Sequence, residues 1–163
     1  MKKILLVAAC VTLGFLSSKA QFTFGAGVNV ALPVGDASDF TSFGLGAELQ
    51  GEYKFAEKVS GIGTTGYTHF FGKDRPVVGK FNYGAIPVLA GARVYPTEFL
   101  YVGAQAGYSF YTGDASEGGF TYKPQVGYDG QSFQLGLSYN AITRNSATNG
   151  WLAISGIIKL GGK

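Results

Sequence analysis

LGAELQGEYKF, residues 45–55, alternates between two kinds of side chain. The odd positions from Leu45 to Phe55 are apolar or small, and the even positions from Glu48 to Lys54 are polar or charged. Because successive side chains of a β-strand point to opposite faces, this stretch predicts a strand with one apolar and one charged face. No helix pattern with a period of 3.6 residues competes with it.

The same alternation recurs along the whole chain after residue 20. The predicted strands cover residues 22–32, 44–56, 59–72, 83–95, 100–112, 119–128, 132–142 and 150–161. Tight turns follow the second, fourth and sixth strands, whereas longer polar segments, including Thr143–Asn149, follow the first, third, fifth and seventh. The pattern predicts an all-β protein, an eight-stranded antiparallel up-and-down transmembrane β-barrel with lipid outside and a polar interior.

Aromatic residues support the same architecture because nearly all of them lie near the ends of predicted strands. Two bands of amphipathic rings are typical of membrane barrels, where they form girdles at the two interfaces. One predicted band is Phe22, Phe24, Tyr53, Phe55, Tyr95, Phe99, Tyr101, Tyr128 and Phe133, and the other is Tyr67, Phe70, Phe71, Tyr83, Phe110, Phe120, Tyr122, Tyr139 and Trp151. Pro87 and Pro124 fall inside strands, where a bulge or a local break is expected.

Residues 1–20 have the features of a secretory signal peptide, with a basic start, an apolar run and small residues before Ala20. The expected organisation is therefore a signal peptide over residues 1–20 and an outer-membrane β-barrel domain over residues 21–163, with Gln21 first in the mature chain. An uncleaved anchor and a lipid attached to Cys10 are the alternatives.

Charge and cysteine content exclude several functions for the mature chain. The basic residues that remain after removal of Lys2, Lys3 and Lys19 equal the 10 acidic residues in number, so nothing favours a nucleic-acid partner. The one cysteine, Cys10, lies in the predicted signal peptide. We therefore expect no disulfide, thiolate nucleophile or cysteine-ligated metal in the barrel.

With its signal peptide, its eight alternating strands and its alternating loop lengths, the chain resembles the small eight-stranded outer-membrane barrels of Gram-negative bacteria, the OmpX and OmpA-barrel type. The resemblance extends over residues 21–163 and rests on this pattern rather than on a single motif. It implies a location in the cell outer membrane, contact with outer-membrane lipid and loops that face the cell exterior.

The charged residues on the predicted inner face are Glu48, Glu52, Lys54, Arg93, Lys123 and Lys159. An eight-stranded barrel is only wide enough for side chains to fill it. Charges in such a space must pair to offset the loss of hydration. The sequence therefore predicts an interior charge network rather than a pair of catalytic carboxylates.

Two motifs resemble parts of catalytic or cofactor sites. Gly61–Gly66 matches the dinucleotide-binding spacing, but a strand-like segment follows it where that motif requires a helix. His69 is the only histidine, and it precedes Phe70 and Phe71 rather than forming the His-x-Ser pair of barrel-type lipid A deacylases. We predict no catalytic and no cofactor-binding residues.

Paired carboxylates in two predicted outer loops are candidate Ca²⁺ ligands. Asp36 with Asp39, and Asp114 with Glu117, lack the ligand density of a calcium loop. One histidine also leaves no histidine-based zinc site, so no metal is predicted.

The sequence thus favours a non-enzymatic outer-membrane barrel with a side-chain-filled interior and a structural or surface-interaction role through four extracellular loops. Two alternatives stay open at this point. One is a lipid-A-modifying barrel enzyme of the outer membrane, and the other is a soluble periplasmic ligand-binding barrel of the lipocalin type. The identity of an extracellular ligand or surface partner, and the oligomeric state, are not encoded in any recognisable motif.

Overall fold

The computed structural model of the chain describes residues 22–35, 38, 41–73, 82–113, 118–144 and 147–160. Its strands are β1 Phe22–Val34, β2 Thr41–Ala56, β3 Val59–Gly72, β4 Tyr83–Val94, β5 Leu100–Gly113, β6 Gly119–Asp129, β7 Phe133–Arg144 and β8 Ala147–Leu160. These bounds follow the predicted strands closely, so the prediction of eight strands is confirmed.

The strands form a closed antiparallel barrel in chain order, and β1 pairs with β8 to complete it. The up-and-down barrel predicted from the sequence is therefore confirmed. We call the end that carries connections 57–58, 95–99 and 130–132 the turn end, and the opposite end the loop end. Both the start of β1 and the end of β8 lie at the turn end.

The connection between β7 and β8 is shorter than the sequence predicted. Thr143–Asn149 was expected to be a long loop, but Thr143 pairs with Thr148 and Arg144 pairs with Ala147. Threonine is β-branched and favours extended backbone, and the Oγ1 atoms of Thr143 and Thr148 lie 3.1 Å apart across the two strands. Polar composition alone therefore overestimated the loop.

Pro87 of β4 and Pro124 of β6 each interrupt the barrel wall on one side only. The β3–β4 pairing runs from Val59 to Thr65 and resumes at Thr68, so the positions opposite Pro87 and Ile86 are unpaired. The β6–β7 pairing is likewise interrupted opposite Lys123 and Pro124. Proline has no backbone N–H to donate, and the expected local break is confirmed at both positions.

The polarity of the barrel is the inverse of that of a soluble protein. Large apolar side chains point outward, and Val28, Phe55 and Ile154 are each more than 60% exposed. Charged and amide side chains point inward and are buried, including Arg93 and Gln105, which are 2% exposed. The described residues contain no helix that is long and apolar enough to cross a membrane.

Candidate functional site: the barrel interior

The half of the interior nearer the turn end is organised around Arg93 of β4. Its Nη1 donates to Glu52 Oε2 of β2 at 3.0 Å and to Gln134 Oε1 of β7 at 3.2 Å, and its Nη2 donates to Gln125 Oε1 of β6 at 3.1 Å. The guanidinium also lies over the ring of Tyr101 of β5, with Cζ 4.0 Å from the ring centroid. One buried cation thereby connects five of the eight strands.

Glu52, the partner of Arg93, has its remaining hydrogen-bonding capacity filled by hydroxyl groups. Its Oε1 accepts from Ser60 Oγ at 2.7 Å and from the phenol of Tyr95. A buried carboxylate is tolerated only when an opposite charge and hydrogen-bond donors replace its water shell. This carboxylate has both.

Two further ion pairs lie on the inner wall. Lys123 Nζ of β6 donates to both carboxylate oxygens of Glu48 of β2, at 3.0 and 2.8 Å. Lys159 Nζ of β8 lies 2.6 Å from Oδ1 of Asp129, which also accepts from Gln134 Nε2 at 2.7 Å. Together with Arg93–Glu52, these pairs balance acidic against basic charge inside the barrel.

Five of the six charges predicted for the interior thus lie in these pairs, and the sixth does not. Lys54 continues the inward face of β2, but it is exposed at the turn end. Its Nζ lies 5.0 Å from the ring centroid of Tyr95, which favours a cation–π contact at the mouth of the barrel. The alternation of β2 is correct here, but the strand has already reached solvent.

Asp129 was missed because the sequence places it beside a tight turn. In the structure it is the last residue of β6 and is 7% exposed. Asp129 has the same parity as Lys123 and Gln125, which means that it lies an even number of residues from them and shares the inward face of β6. Extending the predicted strand by one residue would therefore have identified it. The parity of the strand was the available signal.

A cluster of apolar and aromatic side chains occupies the half of the interior nearer the loop end, beside small polar side chains such as Thr41, Ser109 and Thr121. Phe70 is fully buried, stacks on Tyr83 with ring centroids 4.9 Å apart and meets Trp151 edge-on at 5.2 Å. The rest of this plug consists of Ala31, Ala85, Ile142 and Ala153, with Tyr111 packed against it. The interior therefore has two layers, one ionic and one aromatic.

The plug corrects part of the predicted aromatic girdles. Most members of the two bands face outward, as predicted, including Phe24, Phe99 and Phe110. The inward-facing members are Phe70, Tyr83, Tyr95, Tyr101 and Trp151. Each of them has the parity of the inward face of its strand, so position near a strand end does not by itself place a ring in lipid.

A cavity of about 20 Å³ lies between the two layers. Its lining includes Glu48, Lys123, Asn140 and Ser155 on the polar side and Trp151 on the aromatic side. A space of this size holds about one water molecule. It is too small for the organic ligand that a lipocalin-type barrel would enclose, so this alternative is not supported.

The two motifs that resemble catalytic or cofactor sites are parts of the barrel wall. Gly61, Gly63 and Gly66 lie within β3, without the following helix that a dinucleotide site requires. His69 has the outward parity of β3, and its Nδ1 lies 3.2 Å from Tyr67 Oη. It is not brought into the barrel.

Among the described residues, no group of three or more histidine, cysteine, aspartate or glutamate side chains could hold a metal ion. The carboxylates weighed as a Ca²⁺ site, Asp36, Asp39, Asp114 and Glu117, lie outside the described residues. So do the predicted signal peptide and Gln21.

Neither protein-family models nor curated protein sequences match this chain. Solved structures do match it over most of its length. Ail, the attachment invasion locus protein of Yersinia pestis, aligns with a TM-score of 0.60 at 15% identity, covering 87% of this chain and 99% of Ail. Neisserial surface protein A aligns with a TM-score of 0.56 at 14% identity, covering 85% of this chain and 96% of that protein.

A transmembrane β-barrel designed de novo also aligns, with a TM-score of 0.53 at 15% identity, covering 85% of this chain and 95% of the design. Ail is an outer membrane protein and the design is a transmembrane β-barrel. The outward apolar wall described above is what a membrane-spanning barrel requires. The predicted eight-stranded antiparallel β-barrel is therefore confirmed, and the chain has the fold of these small barrels.

Proposed function

We propose that this chain is a non-enzymatic protein of the cell outer membrane that acts through surface contacts made at its loop end. The observation that carries the proposal is the inverted polarity of a closed barrel, apolar outside and ion-paired inside. Such a barrel is stable in lipid and exposes only its two ends to water, so its contacts with soluble partners are limited to those ends.

The orientation follows from the connections. Outer-membrane barrels place their short turns in the periplasm and their longer loops outside. The turn end is therefore assigned to the periplasm, and connections 35–40, 73–82 and 114–118 are assigned to the cell surface. Connection 145–146 is short, so we assign the contacts of the loop end chiefly to these three longer loops.

A binding role, rather than transport, agrees with the filled interior. The ionic layer around Arg93 and the aromatic layer around Phe70 occupy successive levels along the barrel axis, and each extends across the lumen at its level. Ail of Yersinia pestis has been solved in complex with the heparin analogue sucrose octasulfate, so a barrel of this fold can take a ligand. For this chain we propose an extracellular ligand or surface partner without specifying its identity.

Fractionation combined with surface proteolysis tests the proposal. The protein should stay in the membrane after carbonate washing, and protease added to intact cells should cut within residues 73–82 but not at the Glu57 turn. Release by carbonate would favour a soluble barrel instead, and cleavage only at the turn end would mean the reverse orientation. Turnover of labelled lipid A by the purified barrel would favour the enzyme alternative.

A further inference from the structure

The outer wall near the loop end carries polar groups where a membrane barrel is expected to be apolar. His69 of β3 pairs with Gly84 of β4, and Gly84 pairs with Thr112 of β5, so the three form one row across neighbouring strands. His69 has the parity of the exposed Phe71, and Thr112 has the parity of the exposed Phe110. The row therefore faces the membrane.

Tyr67 lies across this row because Gly84 leaves room for it. A Cβ on Gly84 would lie 2.4 Å from Cε2 of Tyr67 and 2.5 Å from both Tyr67 Oη and Thr112 Oγ1. The phenol and the threonine hydroxyl therefore converge above the glycine. Tyr67 is 42% exposed, so part of its ring is presented to the membrane.

The polar atoms of this cluster retain hydrogen-bonding capacity. Tyr67 Oη and His69 Nδ1 are 3.2 Å apart. When the phenol donates to Nδ1, the neutral imidazole carries its hydrogen on Nε2, which is then a donor. The hydroxyl of Thr112 can both donate and accept a hydrogen bond.

A cation lies directly beyond the cluster. Lys73 follows the last residue of β3, is exposed, and donates from Nζ to Ser38 O at 2.7 Å. It stands four residues, or roughly 13 Å of extended strand, from His69. Phe71 lies between them and contacts the imidazole edge-on, with ring centroids 4.8 Å apart.

These groups lie at the depth of the outward aromatic band of the loop end, where headgroups meet acyl chains. Hydroxyl and imidazole donors match sugar hydroxyl groups, the Tyr67 ring matches the apolar face of a sugar, and the Lys73 ammonium matches a phosphate. Below the cluster the outward-facing residues of β4, Ile86 and Val88, are apolar, as acyl chains require.

We propose that Tyr67, His69, Thr112 and Lys73 bind the phosphorylated sugar headgroup of a glycolipid of the lipid A class in the outer leaflet. This inference rests on the proposed membrane location and orientation. It adds a specific lipid contact to the surface role, and it places that contact on the wall rather than on the loops.

Native mass spectrometry of the mature barrel released from detergent tests the site, with diphosphorylated lipid A as the probe and phosphatidylglycerol as the competitor. Thr112→Val removes one hydroxyl at constant shape and should weaken lipid A binding about fivefold, the effect of one neutral hydrogen bond. His69→Leu should weaken it by at least as much. Thr65→Val is the matched control, since Thr65 is exposed on β3 nearer the middle of the wall, and it should leave binding unchanged.

A second comparison separates the sugar from the phosphate. Lys73→Gln should weaken binding of diphosphorylated lipid A but not of its dephosphorylated form, whereas Thr112→Val should weaken both. Equal losses in Thr112→Val and Thr65→Val would overturn the site. So would displacement of lipid A by an equal concentration of phosphatidylglycerol, which would indicate a general anionic-lipid surface.

These outcomes are separable from failure of the proposed function. Binding is measured on purified barrels whose folding is checked by heat-modifiable migration on gels. The wall variants Thr112→Val, His69→Leu and Thr65→Val place apolar side chains in lipid. Cellular location is measured by fractionation. A barrel that binds lipid A but is released by carbonate would contradict the location alone.

Discussion

Arg93 and Glu52 lie on strands that are not neighbours, yet Nη1 and Oε2 meet at 3.0 Å inside the barrel. Strand β3 separates β4 from β2 in the wall, so the contact reaches over an intervening strand. Both side chains are almost fully shielded, with exposed fractions of 2% and 4%. The pair therefore couples two positions of the wall through its interior.

Removal of Arg93 should destabilise the barrel more than removal of an exposed lysine. In Arg93→Ala the Glu52 carboxylate keeps its hydroxyl donors but loses its cation, at a cost of about 3–5 kcal/mol. Lys58→Ala, in the exposed β2–β3 turn, should change stability by less than about 1 kcal/mol. Urea unfolding in lipid vesicles measures both, and equal midpoints would contradict the ion-pair account.

Lys123 and Glu48 should show strong coupling in a double-mutant cycle. Lys123→Met leaves a buried carboxylate unpaired and should be strongly destabilising. Adding Glu48→Gln removes that charge and should recover most of the lost stability, because burying a neutral amide carries a smaller desolvation penalty than burying a carboxylate. Additive losses in the two single variants, measured by the same unfolding assay, would show that the two groups do not interact.

The unmutated barrel should show no steady porin-sized conductance in planar bilayers, because two layers block the lumen in series. Phe70→Ala should open only the aromatic layer and leave the ionic layer closed. Combining Phe70→Ala with Arg93→Ala should produce ion leakage, while the outward-facing Phe110→Ala should not. Steady porin-sized currents from the unmutated protein would contradict the filled interior.

Two glycines of the wall should respond oppositely to alanine. A Cβ on Gly91 would lie 2.0 Å from the carbonyl oxygen of Ala104, so the backbone must shift, at a cost of about 1–3 kcal/mol. A Cβ on Gly63 would meet nothing closer than 3.8 Å. The Gly91→Ala barrel should lose its folded gel migration at a lower heating temperature than the unmutated barrel. The Gly63→Ala barrel should lose it at the same temperature or a higher one.

The mature protein should begin at Gln21, since Ser18 and Ala20 match the small-residue pattern expected before a signal-peptidase cut. Intact-mass measurement of protein extracted from membranes checks this. A mass that includes Met1 would indicate an uncleaved anchor, and added acyl mass on Cys10 would indicate a lipoprotein.

Strand parity explains which parts of the molecule the sequence could predict. Glu48, Glu52, Arg93 and Lys123 were placed inward because alternation is regular around them, and it continues through the observed strands. Lys54 has the correct parity, but alternation carries no information about where a barrel opens to water. The ion-pair partner of each charge could not be predicted from the sequence. The strands that face each other across the lumen are set by barrel closure and by the stagger of the strands.

The aromatic residues show a different limit. Phe70 and Trp151 lie near strand ends, as interface residues do, and composition favours placing them in lipid. Their parity points inward, and a narrow barrel needs large side chains to fill the end that has few charges. For these two residues, alternation along the strand predicted the direction of the side chain correctly, whereas position near a strand end did not.

The one-sided interruptions at Pro87 and Pro124 have a mechanical consequence. They weaken the β3–β4 and β6–β7 seams, which divide the circumference into an arc of β4–β6 and an arc of β7–β3. Each gap is two residue pairs long, so it lies at one level of the wall and does not run along the barrel. Separation of neighbouring strands should therefore begin at these two places more readily than along the continuous ladders on either side.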